Sequence, residues 1–418
     1  MLCPASAHAQ GGVPLWTNRY DGGFSNSREA IAVDSSGNVF VTGFGDFNYV
    51  IIAYSNLGLP LWTNRYDGPG NNWDAPSAIA VDNSGNVFVT GYSYSGSDFT
   101  SQDYATIAYS NVGVPLWTNR YDGPAQLADE ATAIAVDSSG NVFVTGYSQG
   151  GSDSTFADYT TIAYSNVGVP LWTNRYDGPA NGDDIPKAIA VDSSGNVFVS
   201  GRSLTDFITP INSDYATIAY SNSGEQLWEN RYDRAGGNEA PSAIAVDSSG
   251  NVFVTGYSHG ANDSWATVVY SSAGVRLWTR LYGGVDPSAI AVDRSGNVFV
   301  TGSPGTTIAY SNSGVPLWTS RGAKVAPSKM AVDRNGNVFV TGEYFGTLVT
   351  IKYSSSIPLP RLDFQDLNNQ LVLSWTNAGF NLQSAPALSG TFTNIVGASS
   401  PYTNVTTRAQ QFFRLISN

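Results

Sequence analysis

The chain has 418 residues and a net charge of −13, from 33 acidic and 20 basic residues, with 44 Gly, 23 Tyr and 10 Trp. That balance argues against a nucleic-acid partner, whose phosphates need Lys/Arg surfaces. With only two His and one Cys, a disulfide scaffold, a His/Cys zinc site and a Cys/His catalytic pair are all excluded, and neither a metal nor a cofactor is expected.

At the start, Ala7-His8-Ala9 before Gln10 fits the small-x-small pattern read by signal peptidase. Residues 1–9 therefore read as the tail of a signal peptide, and the protein as secreted, extracellular or on a cell surface. No apolar run approaches the ~18 residues of a membrane helix, so no transmembrane segment is expected, and the chain is expected to be monomeric.

From there a repeat takes over. The block from Ala30 to Gly43, A-I-A-V-D-S-S-G-N-V-F-V-T-G, returns with its Asp at Asp34, Asp82, Asp137, Asp192, Asp247, Asp293 and Asp333. A second block ends in Leu-Trp, with Trp at Trp16, Trp62, Trp117, Trp172, Trp228, Trp278 and Trp318. The intervals of 40 to 55 residues between the Asp positions are those of solenoids or propellers. The first repeat predicts strands a (Ala30–Val33), b (Val39–Thr42), c (Val50–Tyr54) and d (Leu61–Tyr66). Ser-Ser-Gly-Asn and Asn-x-Gly supply the turns, each with Gly where φ must be positive. Four short antiparallel strands per repeat make the blade of a β-propeller. The expected fold is all-β: a seven-bladed β-propeller of four-stranded antiparallel blades over residues 10–355. A d strand at Trp16 precedes every a strand, and none follows the last c strand. The N-terminal strand is therefore expected to close the seventh blade.

The A-V-D-x-S-G-N-V-F-V-T-G core resembles the SBBP repeat, a seven-bladed propeller family found mostly in secreted bacterial proteins; the likeness spans roughly residues 12–355. It implies the fold and a bacterial source, and no particular activity. Residues 356–361 read as a linker and 362–418 as a small β-sandwich-like module. The start L-V-L-S-W at Leu371 and the end F-F-R-L at Leu415 resemble a short C-terminal module on exported proteins of Verrucomicrobia-like bacteria.

Residues common to all blades are scaffold. The d-strand Trp is expected to fill the gap between blades. The Asp34 carboxylate is expected to hold its own turn rather than calcium, which needs six to eight oxygens. The recurring pair typified by Arg120 and Asp122 is expected to tie neighbouring strands. Function should sit on the variable b–c and d–a loops of the opposite face, which are longest in repeats 2 to 5. There, aromatics and acids mix in a pattern suited to stacking on sugar rings and hydrogen-bonding their hydroxyls. The candidate ligand-binding residues are Trp73, Asp74, Tyr92, Tyr94, Asp98, Tyr147, Asp153, Phe156, Asp183, Asp206, His259 and Trp265. They predict an extracellular binding or interaction scaffold whose partner is an unidentified glycan or protein. No catalytic residue is assigned, and the protein is not expected to be an enzyme. The alternative is a propeller hydrolase or lyase using acids at the mouth of this face.

Overall fold

The turn chemistry of the repeat is realised throughout. In the first blade, strands Ala30–Val33, Val39–Gly45, Asn48–Tyr54 and Pro60–Tyr66 pair antiparallel in that order. Asp34 Oδ1 accepts from Ser36 N and Asn38 N, both at 2.8 Å, and Asn38 Nδ2 donates to Oδ2 at 2.8 Å. The carboxylate is thereby used up inside its own turn. Gly37 stands at φ +82°, a conformation that costs glycine least.

This computed structural model describes residue 18 and residues 29–353, apart from 97–100, 151–155, 206–211, 235–236, 260–262, 285, 322–325, 334–335 and 345–346. Beyond these it describes 362–367, 370–374, 380–387, 391–395, 397–405 and 412–417. The chain separates into two compact units, 1–353 and 354–418.

In the first unit, further blades occupy residues 74–121, 129–176, 184–232, 239–283 and 287–320, each a four-stranded antiparallel sheet. The seventh shows three strands, Ala326–Val332, Val338–Tyr344 and Thr347–Tyr353. The a strands of all seven blades line one central channel, to which Ile31, Ile79, Ile134, Ile189, Ile244, Ile290 and Met330 all contribute. The predicted closing strand lies outside the described residues except at Asn18. That residue makes a telling contact, since its Nδ2 donates to Gly58 O at 2.7 Å. Asn64, Asn119, Asn174 and Asn230 donate in the same way to Gly113, Gly168, Gly224 and Gly274 of the following blade, at 2.7–2.8 Å. Asn18 therefore occupies the d-strand position of the blade that precedes the first, which in a closed ring is the seventh.

Apolar packing lies between blades rather than within them. Phe40, Ile51 and Ala53 of the first blade pack with Val87, Val89, Ile107 and Tyr109 of the second. Trp62 lies 5.9 Å from both the Phe40 and Tyr109 rings, and its Nε1 donates to Asn111 O at 3.1 Å. A Cβ on Gly113 would meet Trp62 Cγ at 2.7 Å. The same glycine thus serves a positive-φ turn and the close approach of an indole. The sequence-level role for the Trp is what the structure shows, repeated blade after blade.

In the second unit, strands Asp363–Leu367, Gln370–Ser374 and Tyr402–Val405 form one antiparallel sheet. Strands Thr393–Asn394, Phe380–Ala385 and Phe412–Ser417 form another. Buried Leu373 and Leu382, with Leu371, Ile395 and Phe413, make a small core.

Candidate functional site

The b–c and d–a connections leave the propeller on the side opposite the Asp-Ser-Ser-Gly-Asn turns. At the first two blades they build an aromatic platform. Trp73 is 46% exposed and Phe47 57% exposed. Their rings stack at 6.0 Å and 22°, with Phe44 edge-on to Trp73 at 6.1 Å. Phe47 holds a φ of +68° at the tip of a tight b–c turn, a conformation an aromatic rarely adopts. It was missed from sequence; its signal was a large apolar residue at a hairpin tip.

Other candidates divide sharply. Phe156 is exposed and Tyr94 half-buried, with Tyr92 edge-on to Tyr94 at 5.8 Å. Half-buried Tyr147 donates to Glu130 Oε2 at 3.1 Å and accepts from Gln102 Nε2 at 3.4 Å, which joins the second and third blades. Asp183 Oδ1 accepts from Ala157 N at 3.1 Å. Exposed His259 has its Nδ1 at 2.7 Å from Asp263 Oδ1 and 3.1 Å from Tyr257 Oη. Asp98, Asp153 and Asp206 lie outside the described residues.

Three candidates need correction. Trp265 belongs to strand Ser264–Tyr270 and is 2% exposed, packed between blades with Phe253 and Ile308. In blades two to four this position carries Tyr104, Tyr159 and Tyr215, so it is a core position filled by a different aromatic. Tyr92 is buried by its strand neighbours. Asp74 opens strand Asp74–Val81, is fully buried, and accepts from Gly68 N at 2.6 Å. Alternation of aromatics and acids near a loop does not distinguish the loop from the strand end beside it.

The recurring Arg does tie neighbouring strands, through partners other than Asp122. Arg120 Nη2 reaches Asp103 Oδ2 at 2.7 Å, and its Nη1 donates to Ser93 Oγ. Arg175 does the same with Asp158 at 2.8 Å and Ser148 at 2.7 Å, and Arg231 with Asp214 at 3.0 Å and Ser203 at 2.7 Å. The register pairs Ala105 with Arg120 and Tyr104 with Tyr121, which sets Asp103 diagonally across from Arg120 on the same face. Carboxylate oxygens of Asp103, Asp122 and Asp129 lie within 4.8 Å of one another, as do those of Asp158, Asp177 and Asp184, and of Asp214, Asp233 and Glu239. These are the residues that could hold a cation, although an arginine already engages one acid of each set. One oxygen each of buried Asp129, Asp184 and Glu239 has no hydrogen-bond partner. Burial, aided by neighbouring carboxylates, raises Asp129 and Asp184 to about 6 and Glu239 to about 7.

The acid sets occur at the junctions of blades two to five. In the first blade Asn48 replaces the c-strand Asp, and Arg65 turns to Asp46 at 2.9 Å, in the open. In the fifth blade Ser264 replaces it.

Seven all-β blades around a channel define a seven-bladed β-propeller repeat protein. Five segments, 70–100, 123–152, 175–208, 235–262 and 277–303, match the SBBP beta-propeller repeat, so the chain carries repeats of this type. Among solved structures it resembles the Dos1 propeller, at 11% identity and a TM-score of 0.54 over 78% of this chain and 76% of that one. It also resembles BamB from Moraxella catarrhalis, at 14% identity and a TM-score of 0.47 over 77% and 83%. No curated protein matches the sequence. Among the described residues there is no helix long and apolar enough to cross a membrane.

Proposed function

We propose that the protein is a secreted binding scaffold that presents the loop face of its propeller to a glycan or a protein partner. The observation that carries this reading is the exposed Phe47–Trp73 stack on the face where the repeats differ. Flat aromatic surface of this kind, held by backbone geometry and a neighbouring ring, suits the face of a sugar or an apolar side chain. At this platform the chain's net charge of −13 favours neutral or cationic groups and repels nucleic acid. Secretion is supported by Ala7-His8-Ala9 and by a chain with one cysteine. The protein binds without turnover: the exposed His259 imidazole is engaged by Asp263, and the acids of raised pKa are buried beneath the loops.

The test is a glycan and protein-partner array probed with the full chain and with Trp73→Ala. Ligands captured by the first and weakened about tenfold or more in the second are expected. Capture that survives Trp73→Ala and Phe47→Ala unchanged places the partner elsewhere. Turnover lost with His259→Ala overturns the non-catalytic reading.

A further inference from the structure

One position on strand a lines the channel, at Ser77, Thr132, Lys187, Ser242 and Ser288, and a second, on strand b, lies near the end of the neighbouring strand. Five residues before the repeat Asp, blades two, three, five and six carry Ser77, Thr132, Ser242 and Ser288; the fourth carries Lys187. Ten residues after the Asp, blades two, three and five carry Tyr92, Tyr147 and Tyr257; the fourth carries Arg202. Both departures fall in one blade, and both introduce a cation into a chain of net charge −13. Both also border one pocket of about 430 Å³, with Ile185, Pro241, Tyr257 and Asp286. That volume lies within the range of small-ligand sites.

Among the described residues the side chains of Lys187 and Arg202 make no salt bridge or hydrogen bond, although Arg202 is paired through its backbone in the sheet. Every d-strand arginine from the first to the fourth blade, by contrast, is paired with an acid. In blades one to four the scaffold arginine finds a carboxylate; these two side chains line a cavity instead. The opposite wall is held in place, because the Tyr257 hydroxyl lies 3.1 Å from His259 Nδ1, which Asp263 Oδ1 holds at 2.7 Å. Lys187 and Arg202 against Asp286 leave the pocket one positive charge. Arg offers a fork matched to a carboxylate and Lys a point charge. Tyr257, Pro241 and Ile185 form an apolar wall, and Asp286 and Ser242 offer acceptors for hydroxyl groups.

We infer that this pocket binds a singly charged acidic sugar residue, with its carboxylate on Arg202 and Lys187 and its ring against Tyr257 and Pro241. The inference deepens the scaffold reading and rests on it for the choice of a sugar over other carboxylates.

The experiment titrates the full chain with glucuronate, glucose, acetate and inorganic sulfate, by calorimetry or ligand-observed NMR. Arg202→Tyr and Lys187→Ser are the test variants, since each restores the residue found at that position in the fifth blade and should leave the melting curve unchanged. Saturable glucuronate binding is expected, weakened about tenfold by either variant and lost in the double variant. Glucose and acetate should bind at least tenfold more weakly, because each lacks one half of the recognition. Glucuronate binding that is absent, or equal in the double variant, overturns the site. Sulfate or acetate binding as tightly as glucuronate overturns the sugar. Trp73→Ala separates the two readings. If it abolishes array capture while glucuronate titration fails, the scaffold stands without this pocket. If glucuronate binds through Arg202 and the array is blank, the pocket stands without the scaffold.

Discussion

Blades two to five and blades six and seven are built on one core and differ above it. Phe88 against Trp117 and Phe299 against Trp318 pack at 5.8 and 6.0 Å, so the interior hardly changes around the ring. Above that interior, blades two to four end in Arg–Asp pairs over buried acids of the following blade. In the sixth blade the equivalent Arg321 donates to the Tyr282 hydroxyl at 2.7 Å and lies over that ring, with no carboxylate partner among the described residues. The sixth b–c connection is residues 303–305, whereas the fourth spans 205–212. The ring therefore keeps apolar packing and loop chemistry on separate residues.

The largest effect should come from the shared part. Trp117→Ala removes a side chain lodged between two blades, and about 3–5 kcal/mol of stability should be lost in denaturant titration. Trp318→Ala should cost a similar amount, and a neutral result in either would break the claim of a common core.

Arginine substitutions should separate the two groups of blades. Arg120→Ala leaves Asp103 beside Asp122 and Asp129 without a cation, and should cost about 2–3 kcal/mol near pH 7.5. Arg321→Ala should stay within about 0.5 kcal/mol. Equal costs would show that the acid junctions are not special.

The pH dependence sharpens the same contrast. Asp129, Asp184 and Glu239 have folded-state pKa values above their ordinary ones. The native state therefore binds more protons than the unfolded state between about pH 4 and 7, and these groups lower stability as pH rises through that window. The combined Asp129→Asn, Asp184→Asn and Glu239→Gln variant should melt about 5 °C higher than the parent at pH 8, in chelator, and near the parent value at pH 4.5. A variant whose advantage is the same at both pH values would refute the assignment.

Smallest is the loop platform. Trp73→Ala should move stability by no more than about 0.5 kcal/mol, because the residue is half exposed, while removing ligand capture. A large loss of stability would make Trp73 a structural residue and weaken the functional reading.

Much of this was legible in the residues alone. The repeat Asp, the turn glycines and the Trp spacing determined the strand order, the inter-blade role of the indole and the phase of ring closure, because these depend on local turn geometry and on alternation along a strand. Which loop residues are exposed was not legible. Trp265 and Trp73 are both tryptophans beside variable loops, yet one points between blades and the other away from them. A period of two places a side chain only once the strand end is known, and strand ends here run several residues past the repeated core. The partner of each arginine was likewise hidden, since Asp103 and Asp122 are both near Arg120 along the chain or across a hairpin. The hairpin register set Asp103 diagonally across from Arg120, and the next blade brought Asp129 to Asp122. Lys187 and Arg202 stood in plain view as departures from the repeat. Only the closed ring, which brings strands a and b of one blade against those of the next, shows that they border the same cavity.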